Sequence, residues 1–422
     1  MITLFKEIVE IMHKDYAGCF DKQGCDRPDF YIEQLKGLQD NGELTNETFV
    51  AIVKDYLLDF NDRHILFSHP EVKQNSLSYA GFQVRRYEDK LYVTKVDEEK
   101  RLKIGDVFSS IGGLSIPELK TKHARLLNES HPERENWNAI FPYYEFAELE
   151  GNTTEKPFVL KLYPSPPYVP TYSVEALDES TVCLTMTDFL NPDAIVSMVQ
   201  QHQHQLEQSD NWIIDVRVNN GGSDMSFFPL LPYIAPVEGM DASSEDSMLF
   251  LCTEANVERR LADLEEMLQQ IEDEETRAAL HIFKRELVNN NGKGFVEFDF
   301  TDIGPDTFIK GKASPKRVIV LSDTFCGSSG DSFVEICKKS PKVTVIGRAT
   351  MGVNDYANLA KKKWPSGFVM MYPTSRLSRI DQGKGMTGVG ILPHVHIPWT
   401  PAHLQQDIDL EYALRLLEIP SM

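Results

Sequence analysis

Two short apolar runs constrain this chain more than any other feature. Trp212-Ile213-Ile214-Asp215-Val216 and Arg317-Val318-Ile319-Val320-Leu321 are continuous where a half-exposed strand would alternate. A strand can be apolar on both sides only where both faces of its sheet are covered, as in a parallel sheet flanked by helices. Each run ends in a loop of glycine and small polar residues, and helical patterns such as Ser332 to Lys338 lie between and after them. The predicted fold class is therefore α/β. With 422 residues, more than one domain is expected. In such cores a site is expected in the loops at the carboxyl ends of the strands.

The flanks read differently. Over residues 1–75, Phe5, Ile8, Val9 and Met12, then Phe49, Ile52, Val53, Tyr56 and Leu57, recur at helical spacing. They predict an N-terminal helical cap. From 76 to 130 the pattern turns to short strands, with Phe82-Gln83-Val84 and Leu91-Tyr92-Val93 alternating and Gly105-Asp106 and Gly112-Gly113 as turns. This predicts a small β-rich unit. Residues 131–422 form the α/β core, interrupted at about 240–300 by an acidic insertion. There Val257, Leu261, Leu264 and Leu268 mark one face of a long helix over 254–288. Glu265, Glu266, Glu272, Asp273, Glu274 and Glu275 make it acidic. A solvated helix or helical hairpin is the plain reading, and a lid the functional one.

Composition excludes several classes. Apolar residues make up 41% and charged ones 25%, which permits a large core. The net charge of -21 repels phosphate backbones and anionic lipid, so neither nucleic acid nor a membrane surface is an expected partner. The N-terminal stretch lacks the apolar core of a signal peptide, and no run of eighteen apolar residues follows. Six cysteines at 19, 25, 183, 252, 326 and 337 form no CxxC pair, which fits a cytoplasmic setting. No cluster has metal-ligand spacing, and neither a P-loop nor a dinucleotide fingerprint occurs, so no metal and no cofactor are expected. Nothing in the sequence sets an oligomeric state.

Three segments could carry chemistry. Thr324-Phe325-Cys326-Gly327-Ser328-Ser329-Gly330-Asp331-Ser332 follows the second apolar run. A serine nucleophile needs a tight turn that exposes its hydroxyl and presents backbone N–H groups to an oxyanion, and Gly327 and Gly330 permit one. The alternative is a Gly/Ser turn with Ser328 or Ser329 as a helix N-cap. Asp215-Val216-Arg217-Val218-Asn219-Asn220-Gly221-Gly222-Ser223 follows the first run, and paired glycines there allow close backbone approach. His64, in Asp62-Arg63-His64, is a candidate general base, with His394 and His396 as rivals.

The order of these elements is more specific than any one of them. An Asp-x-His element, a β unit, a strand ending in D-x-R-x-N-x-G-G, and a strand–serine turn–helix come in succession. Val345-Ile346-Gly347-Arg348-Ala349-Thr350-Met351-Gly352 and Gly388-Val389-Gly390-Ile391-Leu392-Pro393 complete the series. This succession resembles the tail-specific (C-terminal processing) serine protease family, in particular its tricorn-type branch. The resemblance implies a PDZ-like β unit and a protease core of the ClpP/crotonase kind. It singles out Ser328 as nucleophile, with Asp331 at the family's acidic position and His64 as base. It puts the oxyanion hole at Gly221, Gly222 and Ser329, and a loop for a peptide carboxylate at Tyr79, Ala80, Gly81 and Phe82. The implied partners are polypeptide or peptide substrates, met through their C-termini.

The departures are equally specific. Val353 stands where the family's Ser–Lys enzymes have lysine, which excludes that dyad. Thr387 stands where the tricorn-type branch has its supporting glutamate, and His394 replaces an aspartate. Thr387, Asp381 and Asp62 are the candidates to orient His64. A relative on the same fold that binds peptides or ligands without catalysis is the alternative these departures leave.

Overall fold

The computed structural model describes residues 1–75, 78–151, 156–243, 246–269, 271, 274–301 and 308–418. The chain divides into two compact units. Met1–Asn75, Ser243–Thr307 and Val353–Thr387 make one, and Ser76–Ala242, Phe308–Gly352 and Gly388–Met422 make the other. The architecture is mixed α/β, as expected.

In the second unit, strands Thr181–Met186, Asn211–Asp215, Arg317–Ser322, Val343–Gly347 and Val395–His396 lie side by side in chain order, all parallel. Tyr172–Ala176 pairs antiparallel with the first of them. The two apolar runs are the central strands. Trp212, Ile214, Val216, Val318 and Val320 face a core that includes Ile195, Met198, Phe227 and Phe333, whereas Ile213, Ile319 and Leu321 face the helix Ile408–Glu418 through Ala413. Burial on both faces is what made these runs continuous.

The same unit contains an antiparallel sheet in the order Phe82–Tyr87, Lys90–Val96, Val107–Ile111, Phe146–Leu149, Phe158–Val159, with Leu114–Ser115 beside the third strand. Its core draws on Phe82, Leu91 and Phe108 but also on Trp137, Phe141 and Ala147. The sheet therefore takes in residues well beyond 130.

In the first unit, helices Ile2–Lys14, Pro28–Asp40 and Asn46–Leu57 bury Phe5, Tyr31, Phe49 and Tyr56 together with Tyr356, Met370 and Tyr372. Thr45 opens the third helix by accepting the Thr48 N–H at 3.3 Å, while its own N–H donates to Thr48 Oγ1 at 2.9 Å. The strand Val369–Leu377 pairs with Tyr356–Lys363 along one side, and with Leu66–Ser68 and Met248–Cys252 along the other.

The acidic stretch is two helices, Glu254–Leu268 and Glu274–Asn289, packed through Leu264, Leu287 and Phe283. Glu272 and Asp273 lie outside the described residues. The flanks of the pair form strands Met248–Cys252 and Gly294–Glu297, which pair with each other, and Phe250 stacks on Phe298 with ring centroids 4.0 Å apart. The insertion is thus woven into the sheet of the first unit. No helix among the described residues is long and apolar enough to cross a membrane.

Candidate active site

The predicted site residues divide between the units. In the second unit, Asp215 lies opposite Leu321 on adjacent parallel strands, so the glycine-rich loop and the serine turn leave the sheet side by side. Ser328 begins the helix Ser329–Cys337 with φ 58° and ψ -122°. A non-glycine residue in that region costs on the order of 1–3 kcal/mol and persists only where its surroundings hold it.

Asp331, fully buried, does much of the holding. Its Oδ2 accepts the Ser328 N–H at 2.9 Å and its Oδ1 accepts the Gly352 N–H at 2.8 Å. Met351 N–H donates to Cys326 O at 2.5 Å, and a side chain at Gly327 would come within 2.8 Å of Met351 Cβ. Behind this turn, Arg134 donates to Thr350 O at 2.6 Å and to Met351 O at 2.7 Å. Cys326 is not a rival nucleophile. Burial, seconded by the Asp331 and Asp323 carboxylates, pushes its thiol well above the ordinary range and keeps it protonated.

The glycine-rich loop is buckled to the serine turn by Asn219, which is fully buried. Its carbonyl accepts the Gly327 N–H at 2.9 Å, its Nδ2 donates to Met186 O at 3.0 Å and its Oδ1 accepts the Gly221 N–H at 2.9 Å. Gly221, at φ 76°, lies so close that a Cβ there would stand 2.5 Å from Ser328 Cβ. The predicted oxyanion donors thereby separate. Gly221 N–H is engaged by Asn219, whereas Gly222 N–H and Ser329 N–H make no hydrogen bond among the described residues. Gly222 is also exposed.

In the first unit, His64 follows the short helix Leu58–Phe60 and the left-handed Asn61 (φ 44°). Its ring Nδ1 lies 2.6 Å from Tyr356 O. A carbonyl can only accept, so Nδ1 carries the proton and Nε2 presents the lone pair, the tautomer a general base requires. Asp62 Oδ1 accepts the His64 backbone N–H at 2.9 Å, and its Oδ2 accepts the Tyr16 hydroxyl at 2.7 Å. Lys22 braces the same turn by donating to Phe60 O at 2.5 Å.

Of the residues expected to support His64, Asp62 is therefore bonded to its backbone. Thr387 donates its hydroxyl to Asp355 Oδ2 at 2.6 Å, and Asp381 pairs with Arg376 at 2.7 Å. The ring contact from Tyr356 is a backbone atom and has no residue signature. The rival histidines have other duties. His394 Nδ1 accepts the Val345 N–H at 3.0 Å, and His396 pairs with Glu133 at 2.9 Å.

Of the predicted carboxylate loop, Ala80 and Phe82 are buried, and Tyr79 exchanges backbone hydrogen bonds with Tyr163. Gly81 O accepts the N–H groups of Asp97, Glu98 and Glu99. On the edge strand that follows, the Val84 N–H donates to Asn138 Oδ1 at 2.8 Å. Among the described residues, no group of three or more His, Cys, Asp or Glu is placed to hold a metal ion.

A family model described as Peptidase family S41 matches residues 180–397, just over half of the chain and the part that carries both loops. A curated protein of Chlamydia trachomatis serovar D is 24% identical over 208 residues. The match takes in 44% of this chain and 34% of that protein, so the chain spans about a third of that relative's length. Among solved structures, mature CPAF complexed with lactacystin superposes with a TM-score of 0.67 at 13% identity, covering 98% of this chain and 97% of the other. Mature CPAF alone gives 0.66 at 13% identity, covering 98% and 95%. At that identity the likeness is one of fold. The match through both loops and across more than half the sequence is one of family: the chain belongs to Peptidase family S41, a family of serine peptidases.

Proposed function

We propose that this protein is a serine peptidase of the tail-specific type, cutting polypeptides through an acyl-enzyme on Ser328 with His64 as general base. The observation that carries the reading is Ser328 itself, held at φ 58° on a helix N-terminus against Gly221. His64 Nε2 takes the Ser328 hydroxyl proton as Oγ attacks the peptide carbonyl. The N–H groups of Gly222 and Ser329 receive the oxyanion, while Gly221 gives the close approach. The Ser328 N–H is no donor, because Asp331 already accepts it. Collapse breaks the C–N bond, the imidazolium gives its proton to the leaving amine, and water releases the acyl group by the same route. Six unpaired cysteines, four of them buried, fit a reducing, cytoplasmic setting.

The test is hydrolysis of an unfolded protein substrate by wild type, Ser328→Ala and His64→Ala across pH. Both variants should lose about 10³-fold or more. A folded wild type that binds peptides and cuts none supports instead the ligand-binding alternative.

Capture of substrate C-termini at Tyr79–Phe82 is part of the proposal. A peptide adding to the edge strand there competes with Asn138 for the Val84 N–H. Asn138→Ala should therefore tighten C-terminal peptide binding by a few-fold, roughly the worth of one hydrogen bond. Equal binding of peptides with free and amidated C-termini would remove this element.

A further inference from the structure

Ser329 and Ser332, on the first turns of the nucleophile helix, share a partner that the mechanism does not use. Both hydroxyls favour the charged form of Asp224, which opens the short helix Asp224–Leu230 immediately after Gly221-Gly222-Ser223. Asp224 stands two residues beyond the glycine proposed as an oxyanion donor, on a helix whose Phe227 packs against Phe333 of the helix that Ser328 begins. Asp224 keeps surface in solvent. Its surroundings are nonetheless close enough that burial pushes its carboxyl upward, against the pull of the two serines. Among the described residues, no lysine, arginine or histidine pairs with it.

A solvent-reachable carboxylate beside a nucleophile, without a cation of its own, is complementary to a cation on the substrate. The neighbouring surface suits the stem of such a side chain. Leu190, next to the Phe189–Gly222 bridge, and Met225, next to Asp224, both leave apolar surface exposed. Lysine and arginine lay an aliphatic stem along apolar surface and keep the charge at the tip. The net charge of -21 draws cationic peptides from a distance.

We propose that Asp224 is a specificity-determining residue, giving this peptidase a preference for lysine or arginine at the substrate position that packs beside Ser328. The proposal rests on Ser328 being the nucleophile, and the experiment separates the two. A proteome-derived peptide library is digested with wild type, Asp224→Asn and Asp224→Glu, and the residues around every cut are read by mass spectrometry. Frequencies within one digest do not depend on how much of a variant is folded.

Wild type should favour Lys and Arg over uncharged residues at one fixed position by about tenfold or more. Asp224→Glu should keep the preference and Asp224→Asn should lose it. A wild type that reacts with a fluorophosphonate at Ser328 and cuts peptides without a basic preference overturns the role of Asp224 alone, whereas one that reacts and cuts nothing overturns the peptidase reading and this inference with it. An Asp224→Asn variant with an unchanged profile likewise overturns the role of Asp224 alone. A wild type that neither reacts nor cuts overturns the Ser328 reading, and this inference with it.

Discussion

A methyl group at Gly221 would stand 2.5 Å from Ser328 Cβ and 2.7 Å from Gly327 O, at a φ of 76° that L-residues avoid. Gly221→Ala must therefore displace Ser328 or its turn. Hydrolysis should fall at least 10²-fold, as a misplacement of about 1 Å can cause, with the circular dichroism of the wild type retained. Asp331→Ala frees the Ser328 and Gly352 N–H groups together, so its loss should appear in kcat more than in KM. Gly221, Ser328 and Asp331 were legible in the sequence because each has a side-chain identity that its backbone or partner demands. Asn219, which joins the two loops, lies inside the motif already quoted, yet nothing in its spacing announced a fully buried amide. The carbonyl of Tyr356, which sets the tautomer of His64, could not be read at all, since every residue has one.

At the scale of elements, the central strands were readable because burial on both faces removed alternation, with Trp212 and Ile214 on one side and Ile213 on the other. The helix after Ser328 is fixed by the same core. Phe333 is fully buried between Phe189 and Phe227, with ring centroids 5.5 and 5.4 Å away. Phe333→Ala should cost about 3–5 kcal/mol in chemical denaturation and should lower activity only through the fraction unfolded. The acidic stretch was less legible. Its apolar spacing left one long helix and a helical hairpin both open, and the structure has two helices held by Leu264 and Leu287. The short strands Met248–Cys252 and Gly294–Glu297 gain their place from pairing with each other and with Val369–Leu377, a long-range pairing that local pattern does not contain.

On the scale of the molecule, charge is organised as well as abundant. Asp323, just before the serine turn, accepts Arg85 from the antiparallel sheet and Arg348 from the end of the strand Val343–Gly347, both at 2.7 Å. Arg348 also pairs with Asp409 of the C-terminal helix. Burial would raise the Asp323 carboxyl, but the two guanidiniums outweigh it and hold the pKa at about 2. A carboxylate depressed in the folded state stabilises fully above its unfolded pKa of about 3.9 and loses that contribution as pH falls through the folded value. Stability from this group should therefore be constant near neutrality and drain away between about pH 4 and 2. Asp323→Ala should destabilise by about 3 kcal/mol at pH 7, because it strands the largely buried Arg85 and leaves Arg348 with Asp409 as its remaining carboxylate. Urea midpoints that fell in parallel for wild type and variant from pH 4 to 2 would contradict this. The central claim, an activated Ser328 that depends on His64, is tested most directly by a fluorophosphonate probe with the adduct mapped by mass spectrometry. The account predicts a single adduct on Ser328, absent from Ser328→Ala and reduced at least about 10²-fold in folded His64→Ala. An adduct on another residue, or labelling undiminished in His64→Ala, would contradict it.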